Sequence, residues 1–220
     1  MSSERIYTIQ LHSLSLGYGD RVLFEGADLG FGWGEFTALI GRNGTGKSTL
    51  LRTIAALSKP RSGYISVNGR KLDEMTRQEI AGQISFVSTD EVRIHNLLVE
   101  DVVGLGRAPY TNWVGSLTAE DKRAVNHSLE LVGMASFARK GMDTLSDGER
   151  QRVMIARALA QNTPIILLDE PTAFLDLPNK YVVSYTHQTL PSIFSVLVSV
   201  VAFAFKKNLF LYLYIKSLIL

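Results

Sequence analysis

Gly41-Arg42-Asn43-Gly44-Thr45-Gly46-Lys47-Ser48-Thr49 fits the spacing G-x-x-x-x-G-K-[ST] at every fixed position. A loop of this composition cradles polyphosphate: glycines let backbone N–H groups turn toward the anion, Lys47 reaches the β- and γ-phosphates, and the Ser48 hydroxyl is a ligand for Mg²⁺. A second cluster supplies the remaining chemistry. Residues 165–168 are four apolar side chains followed by Asp169 and Glu170. A buried strand of this kind delivers Asp169 beside the phosphate loop to hold Mg²⁺, directly or through water, and Glu170 to orient or deprotonate an attacking water. Acids after strands also serve as helix caps, but Lys47 and Ser48 upstream favour the catalytic reading.

Both clusters need a sheet and helices to bring them together. Residues 36–40 read as a strand leading into the loop, and residues 50–57 as the helix that follows, whose N-terminal dipole faces the anion. Upstream, residues 6–11 and 22–24 read as paired strands around the turn Gly17-Tyr18-Gly19-Asp20, and residues 63–69 as a strand ending in an Asn-Gly turn. Residues 77–81 read as a short helix before a strand at 84–87. From Leu97 to about Lys140 the apolar spacing turns helical, residues 147–160 form a strong helix, and 165–168 is a fully apolar strand of a buried parallel sheet.

Composition narrows the function classes. With 46% hydrophobic residues in 220, the chain buries a core large enough for one domain with a subdomain. The absence of cysteine excludes disulfides and thiolate metal sites and is compatible with a reducing compartment. Met1-Ser-Ser-Glu-Arg5 has no signal-peptide pattern, which favours a chain that stays in the cytosol. The net charge of +2 is uneven, because residues 177–220 hold four of the 23 basic residues and none of the 21 acidic ones. No clustered basic face suggests nucleic acid as a partner.

Leu145-Ser146-Asp147-Gly148-Glu149-Arg150-Gln151-Arg152 opens the helix before the acidic strand. This octapeptide resembles the signature sequence of ABC-type ATPases, usually L-S-G-G-Q, with Asp147 and Glu149 replacing a glycine and the glutamine. A serine hydroxyl, a glycine backbone and a helix N-terminus together grip a γ-phosphate. In the family that phosphate belongs to the nucleotide of the opposite subunit, so Ser146 and Gly148 would complete the site of a second copy, in a head-to-tail homodimer. Tyr18 sits where a family aromatic stacks on adenine, although a tyrosine in a turn also serves plain packing. Ala173-Phe174-Leu175-Asp176 is similar to the D-loop, with Asp176 at the dimer seam. The resemblance covers approximately residues 5–182. It implies an α/β fold: a P-loop NTPase (RecA-like) core with an antiparallel β subdomain at 1–90 and 145–182, interrupted by a helical subdomain at 91–144. ATP and Mg²⁺ are the implied cofactors. The implied partners are integral membrane permease subunits and, indirectly, a substrate-binding protein, with the chain peripheral on the cytoplasmic face of the inner membrane.

Two departures stand out. The family's glutamine after the strand at 84–87 is replaced by Ser88-Thr89-Asp90-Glu91; Thr89 falls at that position and is a weaker or water-mediated metal ligand, with Asp90 the alternative. The family's switch histidine, expected on a further strand after the acidic pair, is not found. His187 lies 18 positions after Asp169, too few for the intervening helix and return strand. His12, His95 and His127 are isolated and read as surface or packing residues.

Residues 104–115 with 117–121 resemble the helical-domain segment of importers for ferric siderophores, haem and cobalamin, a region that docks on the permease; Tyr110 and Trp113 also suit ordinary packing. Residues 183–192 resemble a translated transposon adapter, and the aperiodic apolar run beyond them fits out-of-frame DNA. The expectation is a native reading frame broken near 180–183, a C-terminally truncated cassette without its last sheet strands, and exposed apolar surface. Residues 192–205 are apolar over only 14 positions, short of the ~20 that a membrane span needs. Two rivals to the importer remain: a soluble ABC ATPase, which usually carries a coiled-coil insertion or a second cassette, and an ATP-binding fragment unable to hydrolyse. A GTPase is disfavoured because Asn179-Lys180 is followed by Tyr181-Val182 without the aspartate that reads guanine.

Overall fold

The computed structural model describes residues 7–34, 36–41, 44–88, 96–111, 115–170, 195–201 and 218–219. Two sheets and five α-helices organise them. β1 (Tyr7–Tyr18) and β2 (Arg21–Gly32) form a long antiparallel hairpin, and β1 also pairs with β4 (Ser62–Val67), which turns through Asn68 and Gly69 into β5 (Arg70–Lys71). The resulting antiparallel sheet has the order β2-β1-β4-β5.

The second sheet is entirely parallel, with order β6-β7-β8-β3-β9, from β3 (Phe36–Gly41), β6 (Ile84–Val87), β7 (Ile165–Asp169), β8 (Ser195–Val201) and β9 (Leu218–Ile219). α1 (Lys47–Ile54) follows β3, and α2 (Arg77–Gln83) runs directly into β6. Between β6 and β7 come α3 (Val99–Gly104), a 3₁₀ segment (Leu105–Tyr110), α4 (Ala119–Leu131) and α5 (Asp147–Ala160).

β7 shows why an unbroken apolar run is a buried strand here. Successive side chains point to opposite faces. Ile165 and Leu167 pack with Leu50, Leu51 and Ile54 of α1 and with Ile9, Leu11 and Ile65 of the antiparallel sheet. Ile166 and Leu168 pack on the other side with Val153, Met154 and Ala156 of α5 and with Val102, Val103 and Leu129 of α3 and α4. Each face of the strand therefore holds one of the two hydrophobic clusters.

Residues 195–201, within the segment read from sequence as aperiodic, form β8 between β3 and β7, with Leu39 and Asp169 both opposite Ser199. Among the described residues no helix is long and apolar enough to cross a membrane.

Candidate nucleotide site

The parity of β7 sets the geometry. Asp169 shares the face of Ile165 and Leu167, so its carboxylate leaves the strand on the side of α1. There the Ser48 hydroxyl donates to Asp169 Oδ1 at 2.9 Å. Asp169 is fully buried and Lys47 only 4% exposed. Residues separated by 121 positions in sequence thus meet at the C-terminal ends of parallel strands, where open α/β sheets place ligands.

α1 begins without a side-chain cap. Its N-cap is Gly46, with φ of 100°, and its first turn carries no acid. Gly44 also has a positive φ of 80°. At Gly46 a side chain would be strained by that backbone angle, and a Cβ would stand 3.0 Å from Leu23 Cδ1. The helix closes its first turn with Leu50 N–H donating to Gly46 O at 2.8 Å, and the positive end of its dipole lies at this terminus.

Ser48 and Asp169 fit Mg²⁺. Adjacent ligands of an octahedral Mg²⁺, each at about 2.05 Å, lie about 2.9 Å apart, which is the spacing of the two oxygens here. Both are hard oxygen donors. No group of three or more His, Cys, Asp or Glu side chains forms a metal cage among the described residues.

Glu170 follows immediately, half-buried, with φ of 45°. A left-handed glutamate costs on the order of 1–3 kcal/mol, and strain of this kind concentrates at functional sites. Tyr18 ends β1 and is 84% exposed, open to stack on a planar ligand. Gly41 closes β3, Thr45 and Thr49 are half-buried, and Gly44 is exposed. Arg42, Asn43, Thr89, Asp90 and Asp176 lie outside the described residues.

Ser146 is the exposed N-cap of α5, whereas Gly148 in the first turn is buried. Their surroundings are acidic. Ser146 N–H and Oγ donate to Glu149 Oε2 at 2.8 and 2.9 Å, and Glu149 N–H donates back to Ser146 Oγ at 3.3 Å. The Ser146 N–H and hydroxyl hold the Glu149 carboxyl below its usual range. Arg150 pairs with Asp147 and donates to Leu145 O at 2.6 Å.

The sequence reading missed a buried pair. Arg107 Nε donates to Asp121 Oδ1 at 2.8 Å, and Arg107 also donates to Ala160 O at 2.9 Å. Both residues fall in segments 104–115 and 117–121, read from sequence as a partner surface. A detectable signal for Asp121 was the Thr118-x-x-Asp121 capping pattern; for Arg107 there was none.

The ABC transporter family model matches residues 24–173. The probable siderophore transport system ATP-binding protein YusV of Bacillus subtilis is 42% identical over 172 residues, covering 78% of this chain and 62% of that protein. Two solved structures are similar. The inward-facing conformation of a putative metal-chelate type ABC transporter has a TM-score of 0.75 at 27% identity, covering 89% of this chain and 73% of that one. The dimeric structure of MJ0796, a bacterial ABC transporter cassette, has a TM-score of 0.76 at 29% identity, with 87% of each chain covered. The chain spans about three-fifths of the length of the curated relatives it matches. With a family model matched over most of its length and relatives about 40% identical over more than three-quarters of it, the chain belongs to the ABC transporter family.

Proposed function

We propose that this chain is the ATP-binding subunit of an importer and hydrolyses ATP to drive uptake of an iron chelate or a related macrocycle: ferric siderophore, haem or cobalamin. The observation that carries the ATP reading is the 2.9 Å contact between Ser48 and Asp169 beside the uncapped start of α1. The substrate class draws on the resemblance of residues 104–121 and on relatives described as siderophore and metal-chelate transporters.

In this reading the backbone amides of residues 44–48 and the Lys47 ammonium bind the phosphates, and Arg42, Asn43 and Thr49 complete the loop. Ser48 and Asp169, with Thr89, hold Mg²⁺, which when bound offsets charge on the β- and γ-phosphate oxygens. Glu170 takes a proton from the attacking water, and Tyr18 supports the adenine. Ser146, Gly148 and Asp176 act across a head-to-tail pair of copies, a pairing supported by the dimeric cassette of similar fold. Permease subunits would hold the pair at the inner face of the membrane and receive substrate from a binding protein.

One observation favours a second reading, an ATP-binding chain that does not hydrolyse. β8 separates the phosphate-loop strand from the acidic strand, yet residues 192–205 contain no histidine and no other titratable side chain. ATP binding and turnover of the purified chain beside Glu170→Gln separate the two. Turnover lost only in the variant supports the hydrolase; binding without turnover in both supports the second reading.

A further inference from the structure

We infer that Arg107 is a positioning residue that sets the direction of α5, and so the place of Ser146 and Gly148, without touching nucleotide. The guanidinium joins three elements. From the 3₁₀ segment it reaches Asp121 in the first turn of α4 at 2.8 Å and Ala160 O, the last residue of α5, at 2.9 Å. The Tyr110 ring covers it, with Cζ 4.2 Å from the centroid. Arg107 is 7% exposed and Asp121 3% exposed. A cation at a helix C-terminus also meets the favourable end of the helix dipole.

The 3₁₀ segment lies hard against α5. At Gly106 a Cβ would stand 2.2 Å from Arg157 O, a separation that no side chain tolerates, so this backbone approach requires glycine. Next to Ala160, Gln161 donates to Ala81 O at 2.7 Å and to Ile84 O at 3.1 Å, at the junction of α2 and β6. Gln78 of α2 donates to Pro109 O at 3.2 Å. The C-terminal end of α5 is therefore fixed to the sheet through Gln161 and to the helical region through Arg107.

The other end of α5 carries Ser146 and Gly148. A 14-residue helix is about 21 Å long, so a tilt of about 10° at its C-terminal joint moves its N-terminus by roughly 3–4 Å. Errors of about 1 Å in a reacting geometry already cost on the order of a hundredfold in rate. The consequence for turnover rests on the reading above that two copies share each nucleotide.

The chain has no cysteine, so single thiols can be placed at will. Lys59→Cys and Asp143→Cys, both at exposed positions, report the distance between the end of the α1 segment and the approach to α5 once spin-labelled. In the full chain, Arg107→Met should shift or broaden that distance distribution by about 3 Å or more. Arg107→Lys, which keeps the charge but loses the fork, should fall between. ATP affinity should stay within about twofold in both, because Lys47, Ser48 and Asp169 lie on other elements. Distributions that superimpose on the native one, or ATP affinity that falls along with the shift, overturn the inference. If Arg107→Met does not fold, Arg107→Lys decides: an unchanged distribution overturns the role. ATP-dependent self-association should weaken about tenfold in Arg107→Lys. A native chain that binds ATP yet stays monomeric refutes the two-copy reading, whereas the distance result tests the joint by itself.

Discussion

Ser48→Ala tests the contact on which the nucleotide site rests. The Ser48 hydroxyl donates to a carboxylate that is fully buried, and the bond is 2.9 Å long. A hydrogen bond to a charged group contributes about 1.5–3 kcal/mol. In a chain of this size each kcal/mol moves the melting temperature by about 2–4 °C, so Ser48→Ala should melt about 3–12 °C below the native chain without ligand. Ser48→Thr keeps the hydroxyl and should recover most of the loss. The same oxygen is a proposed Mg²⁺ ligand. The Mg²⁺ concentration at which ATP half-maximally raises the melting temperature should therefore rise about tenfold or more in Ser48→Ala. Thermal unfolding followed by circular dichroism, titrated with Mg²⁺ at fixed ATP, reads both effects. An alanine variant that melts within 1 °C of the native chain and keeps its Mg²⁺ midpoint would refute the assignment, since neither the buried bond nor the ligand would then matter.

Two further outcomes separate binding from folding. Tyr18 is almost wholly exposed, so Tyr18→Ala should leave the melting temperature unchanged while weakening ATP binding by about 1–3 kcal/mol if its ring supports the base; calorimetry showing native affinity would remove it from the site. The Asp121 carboxyl is lowered to about 2 from its ordinary 3.8 by the Thr118 hydroxyl and the Arg107 guanidinium. A carboxyl lowered on folding adds stability above its unfolded value and loses it as pH falls through the folded one. Urea stability should thus decline between about pH 4 and pH 2, and more gently in Asp121→Asn; equal slopes in the two proteins would show that Asp121 is not responsible.

Periodicity located the elements whose surroundings are uniform. The strand at 84–87 and the helix at 147–160 stand at their expected bounds, and β7 extends its expected strand by Asp169 alone. Errors arose where tertiary contacts decide. α1 starts at Lys47, three residues ahead of the apolar run, because left-handed Gly46 rather than an apolar stripe sets the turn into it. β1 and β2 reach 12 residues each through register shifts that no alternation pattern survives. The strand at 195–201 was not read from sequence, because an apolar run has no period to detect. Arg107 and Asp121 were read only as part of segments that dock on a partner. Only the packing of the 3₁₀ segment against α5 encloses them, and that depends on Gly106 and the distant Arg157 backbone.

The helix starts carry a further distinction. α2, α4 and α5 each open with Ser or Thr at the N-cap and an acid three residues on: Thr76 with Glu79, Thr118 with Asp121, Ser146 with Glu149. Each box satisfies two backbone donors and stabilises its helix by about 1 kcal/mol. α1 has Gly46 and Thr49 at the same positions, and neither caps it. An acid at position 49 would fold back over the amides and put a negative charge where phosphate is proposed to bind. The sequence thus forgoes side-chain capping at α1, whose amides are proposed to bind phosphate within the same chain. α5 presents the opposite case. A phosphate approaching Ser146 meets a hydroxyl already bonded in both directions to Glu149, beside a carboxylate held ionised below its usual range. For Ser146 to grip a partner's γ-phosphate, its bond to Glu149 must open and the carboxylate must turn aside. The first turn of α1 holds no carboxylate that an anion would have to displace, whereas that of α5 holds Glu149 against Ser146.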